Sequence, residues 1–169
     1  MRQEKKVLAC VDKSDYAAHV ADYAAWAAAR LSAPIELLHV IDRHPEIAAD
    51  VDRSGSIGVD AQENLLERLS QQEGERSKVI REQGRVFLNE LRTRCETHTG
   101  LQTDTRQRYG QLLATLKEQE SSVAMYVLGR RGESASHTRR DLGRHVETIC
   151  RKIRRPIMTV TDDFKAPKT

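Results

Sequence analysis

Short, nearly unbroken apolar runs spaced by helix-length stretches are what most limits the folds open to this chain. They are Lys6-Val-Leu-Ala-Cys-Val11, Ile35-Glu-Leu-Leu-His-Val-Ile41, Val123-Ala-Met-Tyr-Val-Leu128 and Pro156-Ile-Met-Thr-Val160. A strand with one wet face alternates apolar and polar residues, whereas a run without alternation marks a strand covered on both faces. Runs of this kind separated by helical patterns imply parallel strands joined by crossover helices.

The intervening segments fill in the pattern. Ser14 is placed to cap a helix over Asp15–Leu31, an alanine-rich stretch with Val20, Ala24, Ala27 and Leu31 along one side. Ser32-Ala33-Pro34 stops it, and the two flanking strands make a βαβ unit. From 42 to 60 the sequence has no period and reads as a loop. A helical pattern then runs from Ala61 to about His98 in two parts, with Leu65, Leu66 and Leu69 in the first and Ile80, Phe87, Leu91 and Cys95 in the second. The polar segment Gln71–Ser77, containing Gly74, either breaks the helix or lies on it exposed. Gly100 ends the helix as a C-cap. Leu101–Arg108, with Thr103 and Thr105, reads as an edge or near-edge strand. Helices over Gln111–Glu120 and Arg144–Ile153 complete an α/β fold: a doubly wound five-stranded parallel sheet with helices on both faces. Residues 1–161 form the domain and 162–169 a C-terminal tail or linker.

At 169 residues the chain is long enough for one domain with a real core, and aromatics at 4% leave that core to Ala, Val, Leu and Ile. The net charge of +3 is small and mixed along the chain. The basic clusters Arg130–Arg131, Arg139–Arg140 and Arg151–Arg155 are short, and the first two flank glycines, which suits a small anion better than a duplex. Cys10, Cys95 and Cys150 are odd in number and lack metal-ligand spacing, so buried thiols in a reducing compartment are expected. The N-terminus has no signal-type apolar region, and no run is long enough to cross a bilayer. The expectation is a cytoplasmic protein without nucleic-acid or membrane partners.

In doubly wound sheets ligands bind outside the carboxyl ends of the strands. Asp12, Val40–Ile41 and Gly129 fall there, and Gly129-Arg-Arg-Gly132 is followed after ten residues by Gly143-Arg144-His145 at a helix start. Glycines let backbone approach phosphate oxygens, and the free N–H groups of a helix's first turn point at an anion. Asp12 can accept hydrogen bonds from a ribose hydroxyl. The plainer alternative is that Asp12 caps the first helix and the glycines only turn the chain. His39 reads as a strand-end core residue, His145 has no group to orient it as a base, and His44, His98 and His137 fall in loops. Tyr16, Tyr23 and Trp26 read as packing residues. There is no Gly-Lys-Ser/Thr phosphate loop, and no Gly-x-Gly-x-x-Gly after the first strand. Ser54-Gly-Ser-Ile-Gly-Val-Asp60 follows the second strand rather than the first, which argues against a pyrophosphatase loop. Arg108-Tyr109-Gly110 lacks the acidic residue of a phospho-receiver. No catalytic residue, and hence no enzyme, is expected, and no metal site.

Val11-Asp12, His39-Val40-Ile41-Asp42, Gly129 to Gly132, Gly143 and the final Pro156–Val160 strand together resemble the signature of the universal stress protein family, over Lys5 to Val160. The resemblance implies strand order 3-2-1-4-5, a homodimer formed through the last strand and, in one subclass, a bound ATP or AMP, with or without Mg2+, undergoing little or no hydrolysis. The nucleotide-binding set it implies is Asp12, Val40, Gly129, Arg131, Gly132, Gly143, Arg144, His145 and Val146. Two positions depart from the pattern. Ten residues rather than nine separate Gly132 from Gly143, and Arg144 stands where the family has a phosphate-binding hydroxyl. The guanidinium and backbone N–H of Arg144 can meet a phosphate in its place. A nucleotide-free dimeric interaction module of the same fold is the competing expectation. Asp163-Phe-Lys-Ala-Pro167 resembles the connector of tandem members.

Overall fold

A computed structural model describes residues 5–41, 59–130, 144–161 and 163–168. Five strands, β1 (Lys6–Cys10), β2 (Ile35–Ile41), β3 (Thr103–Tyr109), β4 (Val123–Gly129) and β5 (Ile157–Val160), form one parallel sheet in the order β3-β2-β1-β4-β5. The helices are α1 (Ala17–Leu31), α2 (Val59–Thr99), α3 (Leu112–Gln119) and α4 (Arg144–Lys152). The expected architecture and strand order are those observed.

The unbroken apolar runs are explained by the period of two. In β1, Val7 and Ala9 enter the core shared with α1 and α2, while Leu8 enters the core shared with Leu116 and Ile149 of α3 and α4. Leu37 and Leu38 divide likewise in β2, as do Val127 and Leu128 in β4. Helix α1 lies on the first face through Ala17, Ala21, Ala24 and Ala28, whose single methyl groups let its backbone come close to the strands. Gly100 ends α2 with φ +67°, the left-handed geometry of a C-cap, and its N–H donates to the Glu96 carbonyl at 2.8 Å.

At the amino edge of the sheet the nearly buried Glu36 receives Lys6 at 2.7 Å and faces Arg106 at 3.6 Å, and Lys6 also donates to Gln119 at 2.9 Å. These bonds lock β1, β2, β3 and α3 together away from the carboxyl edge.

Several local expectations need correction. The first helix begins at Ala17 behind Tyr16, without a side-chain cap. Ser14 contributes its carbonyl, which accepts the Ala17 N–H at 3.1 Å, rather than its hydroxyl. Leu31 ends the helix exposed, because the core it was expected to face stops at Ala28. Of the two readings of Gln71–Ser77, the structure has the exposed one. The helix runs through it because exposed polar residues are good helix formers and the one glycine there costs only about 1 kcal/mol. Leu65, Leu66 and Leu69 share no core with Leu91 and Cys95; they are exposed. His98 lies in the last turn of α2, not in a loop. Cys150 is exposed, and Cys10 and Cys95 are the enclosed thiols. The described part of the C-terminal tail is docked on the domain. Phe164 packs edge-on against Tyr23 at 4.8 Å, and Asp163 meets His19 at 3.2 Å, fastening it to α1.

Candidate functional site at the carboxyl edge

All five strands are parallel, so every connection returns over a face and begins at the same edge. The β1–α1 turn opens there at Asp12, two residues beyond the last registered pair, Cys10 with Leu38, which sets Asp12 level with Val40. Gly129 closes β4 opposite Val160. Helix α4, lying between β4 and β5, starts at this edge with its first-turn N–H groups.

Asp12 is held by the turn it helps to make. Its Oδ1 accepts the Ser14 N–H at 3.1 Å, an Asx-type turn that fixes the carboxylate beside the start of α1. The capping alternative therefore describes part of its role: it shapes the approach to the helix without being the N-cap. The residue after Gly129 is fixed as well, since the Arg130 N–H donates to the Val160 carbonyl at 2.8 Å. Val40 is half-buried against the Leu8–Leu38 core, its apolar surface at the strand end. His39 is a structural residue. Its Nδ1–H donates to the Val11 carbonyl at 3.0 Å, and its ring stands edge-on to Phe87 at 5.7 Å.

No activated nucleophile stands among the described residues of this edge. Burial, reinforced by the charges of Asp12 and Glu36, pushes the Cys10 thiol far above its ordinary range, so it stays protonated at neutral pH. No cluster of three or more His, Cys, Asp or Glu side chains capable of holding a metal occurs among the described residues.

Of the predicted set, Asp12, Val40 and Gly129 are brought to one edge. His145 and Val146 lie in the first turn of α4, His145 exposed and Val146 buried against the body. Arg144 opens the same helix. Arg131, Gly132 and Gly143 lie outside the described residues, as do Asp42, His44, His137 and the segment Ser54–Gly58. Arg130 joins this edge without having been in the predicted set; its place directly after a buried strand was the available signal.

No helix among the described residues is long and apolar enough to cross a membrane.

Comparison with known proteins agrees with this fold. The model of the universal stress protein family matches residues 4–161. The universal stress protein Slr1230 of Synechocystis is 30% identical over 162 residues, which are 95% of this chain and 56% of that protein; the chain thus spans about half the length of this relative. Among solved structures, a universal stress protein in complex with cAMP superposes with a TM-score of 0.58 at 17% identity, covering 95% of this chain and 98% of that one. The universal stress protein of Archaeoglobus fulgidus in complex with dAMP gives 0.56 at 15% identity, covering 93% and 98%.

Proposed function

The chain belongs to the universal stress protein family, and we propose that within it this protein is a regulatory nucleotide holder, binding ATP or AMP at the carboxyl edge of its sheet with little or no hydrolysis. The observation that carries the reading is the convergence of Asp12, Val40, Gly129 and the start of α4 at one edge. Asp12 accepts ribose hydroxyls, Val40 offers the adenine an apolar surface, and Gly132, Gly143, Arg144 and His145 take the phosphates through backbone N–H groups and the guanidinium, with Arg131 and Val146 as the remaining members of the set. Mg2+ would accompany the triphosphate alone.

Support comes from two relatives of the same fold that hold cAMP and dAMP, both adenine nucleotides. Little or no hydrolysis is part of the proposal, in keeping with a protonated Cys10 and with a His39 fixed as a structural residue by its bond to the Val11 carbonyl. Three free thiols are in keeping with a cytosolic location.

The reading includes a homodimer through β5. The Tyr126 N–H donates to the Pro156 carbonyl at 2.9 Å and the Arg130 N–H to the Val160 carbonyl at 2.8 Å. By the alternation of a strand, the backbone groups of Ile157 and Thr159 face the outer edge, where a second β5 can pair.

The test is to identify, by mass spectrometry after denaturation, the nucleotide that co-purifies with the protein, and to titrate ATP and AMP calorimetrically. An adenine nucleotide at near-stoichiometric yield is expected, and Gly143→Val should abolish binding by blocking backbone approach. Purification without nucleotide, together with no heat on titration, would leave the nucleotide-free interaction module as the function.

A further inference from the structure

Helix α2 is 41 residues long, and its buried residues lie in its later part: Gly84, Leu88, Leu91 and Cys95 are buried, whereas every residue from 61 to 76 is exposed. A polar helix this long does not persist by propensity alone. An extended periodic helix without a core to rest on is characteristic of coiled coils.

Five large apolar side chains of α2 are open to solvent: Leu65 (45%), Leu66 (59%), Leu69 (39%), Val79 (54%) and Val86 (46%). Four of them fall on one stripe. Leu65, Leu69, Val79 and Val86, with Gln72, Arg76 and Gln83 at the remaining places, are spaced alternately four and three residues apart. This is a seam about three heptads long, rotated away from the face that packs on β3 and α1. The polar residues inside it weaken the seam but restrict its register.

The charges along the helix say what would cover the seam. Between 61 and 75 lie Glu63, Glu67, Glu73 and Glu75 against the single Arg68; between 76 and 86 lie Arg76, Lys78, Arg81 and Arg85 against the single Glu82. Side-by-side pairing of two parallel copies sets acid on acid and base on base. Antiparallel pairing sets Glu63 and Glu67 against the basic half of the second copy, with Glu73 and Glu75 near the axis, and a two-fold axis does so twice with one surface.

We propose that α2 is a second self-association element, pairing antiparallel with α2 of another copy of this chain through the Leu65–Val86 seam. In the register that centres on residue 74, Leu69 meets Val79 of the second copy, Leu66 meets Ile80, and Arg68 stands opposite Glu82. This surface is separate from the β5 edge and does not depend on nucleotide.

The test uses spin labels on the full chain, with the exposed native thiol removed by Cys150→Ser. Cys95 is buried, and the partly exposed Cys10 is removed in the same background by Cys10→Ala. Glu75→Cys places the label near the axis, and Gln62→Cys places it near one end. In the antiparallel pair the two labels at 75 lie within about 3 Å of each other along the helix axis, whereas those at 62 lie about 36 Å apart along it. A short distance at 75 with a long one at 62 is the expected result. The short distance should vanish in Leu65→Glu/Leu69→Glu while the circular dichroism of the domain is kept. Short distances at both positions would mean parallel pairing and overturn the proposal. No dipolar coupling at 75 at high micromolar concentration would do so too, as in a monomer whose own 42–58 segment covers the seam. Long distances at both would assign all association to β5.

Discussion

Arg144 carries the chief chemical departure of this chain from its family's pattern. An N-terminal helix position beside bound phosphate normally needs only backbone N–H groups and a small hydroxyl. A guanidinium there supplies a charge-assisted bond instead, which weakens as salt rises. Arg144→Ala should therefore weaken ATP binding by about 1–3 kcal/mol, and the loss should shrink in high salt. An Arg144→Ser variant that binds ATP much more tightly would show the arginine to be an obstruction. Cys95 offers a separate test of the core. Burial first, then the neighbouring Asp22, lift its thiol from an ordinary value of 9.0 to about 12. Unfolded chains lose that proton first, so this contribution to stability is intact below pH 9 and is lost as pH rises towards 12. In urea titrations from pH 7 to 10.5, Cys95→Ala should show a shallower alkaline loss of stability than the parent protein.

Among the elements, α2 has two unlike halves. Its C-terminal half is clamped to α1, where Arg94 grips Asp22 through two bonds of 2.7 and 2.8 Å and the Cys95 thiol donates to the Ala21 carbonyl at 3.5 Å. Gly84 lies tight against β3, since a Cβ there would meet the Gln107 side-chain amide. The side chains from 61 to 76 are exposed, and there helix propensity weighs more in the local order. Gly74 has nothing within 4 Å of its would-be Cβ and lies at mid-helix, so Gly74→Ala should stabilise the free half by roughly 0.5–1 kcal/mol. Greater helical ellipticity and slower amide exchange between 61 and 76 are expected, with little change in the exchange of β1 and β2.

At the scale of the whole molecule, the proposed homodimer turns on the edge strand β5. β5 is four residues long with no charge in it, and an uncharged edge invites another strand. Val160 is part of the core, 2% exposed, so the edge must be probed through the backbone rather than by charging that side chain. Thr159→Pro removes an outward N–H while sparing the bonds to β4. In sedimentation it should dissociate the β5-mediated dimer with the domain still folded; an unchanged dimer would move that interface elsewhere. The tail lies on α1 through Phe164, which leaves the β5 edge to its own chemistry.

The unbroken strands, the glycine cap at Gly100 and the strand order were legible in the sequence, the last through family resemblance. Burial on both faces writes itself as continuous Val, Leu and Ile, and Asp12, Val40 and Gly129 are tied to the carboxyl edge by sitting at strand ends. Which helical residues would be covered was not legible. Leu31, Leu65, Leu66 and Leu69 carry the same apolar signal as Leu91, and only the position of the sheet, set by contacts distant in sequence, separates the buried from the exposed. The joining of α2 across Gln71–Ser77 and the docking of Phe164 on Tyr23 belong to the same class. Local composition fixes what a segment is able to bury, and tertiary structure decides whether anything is there to bury it against.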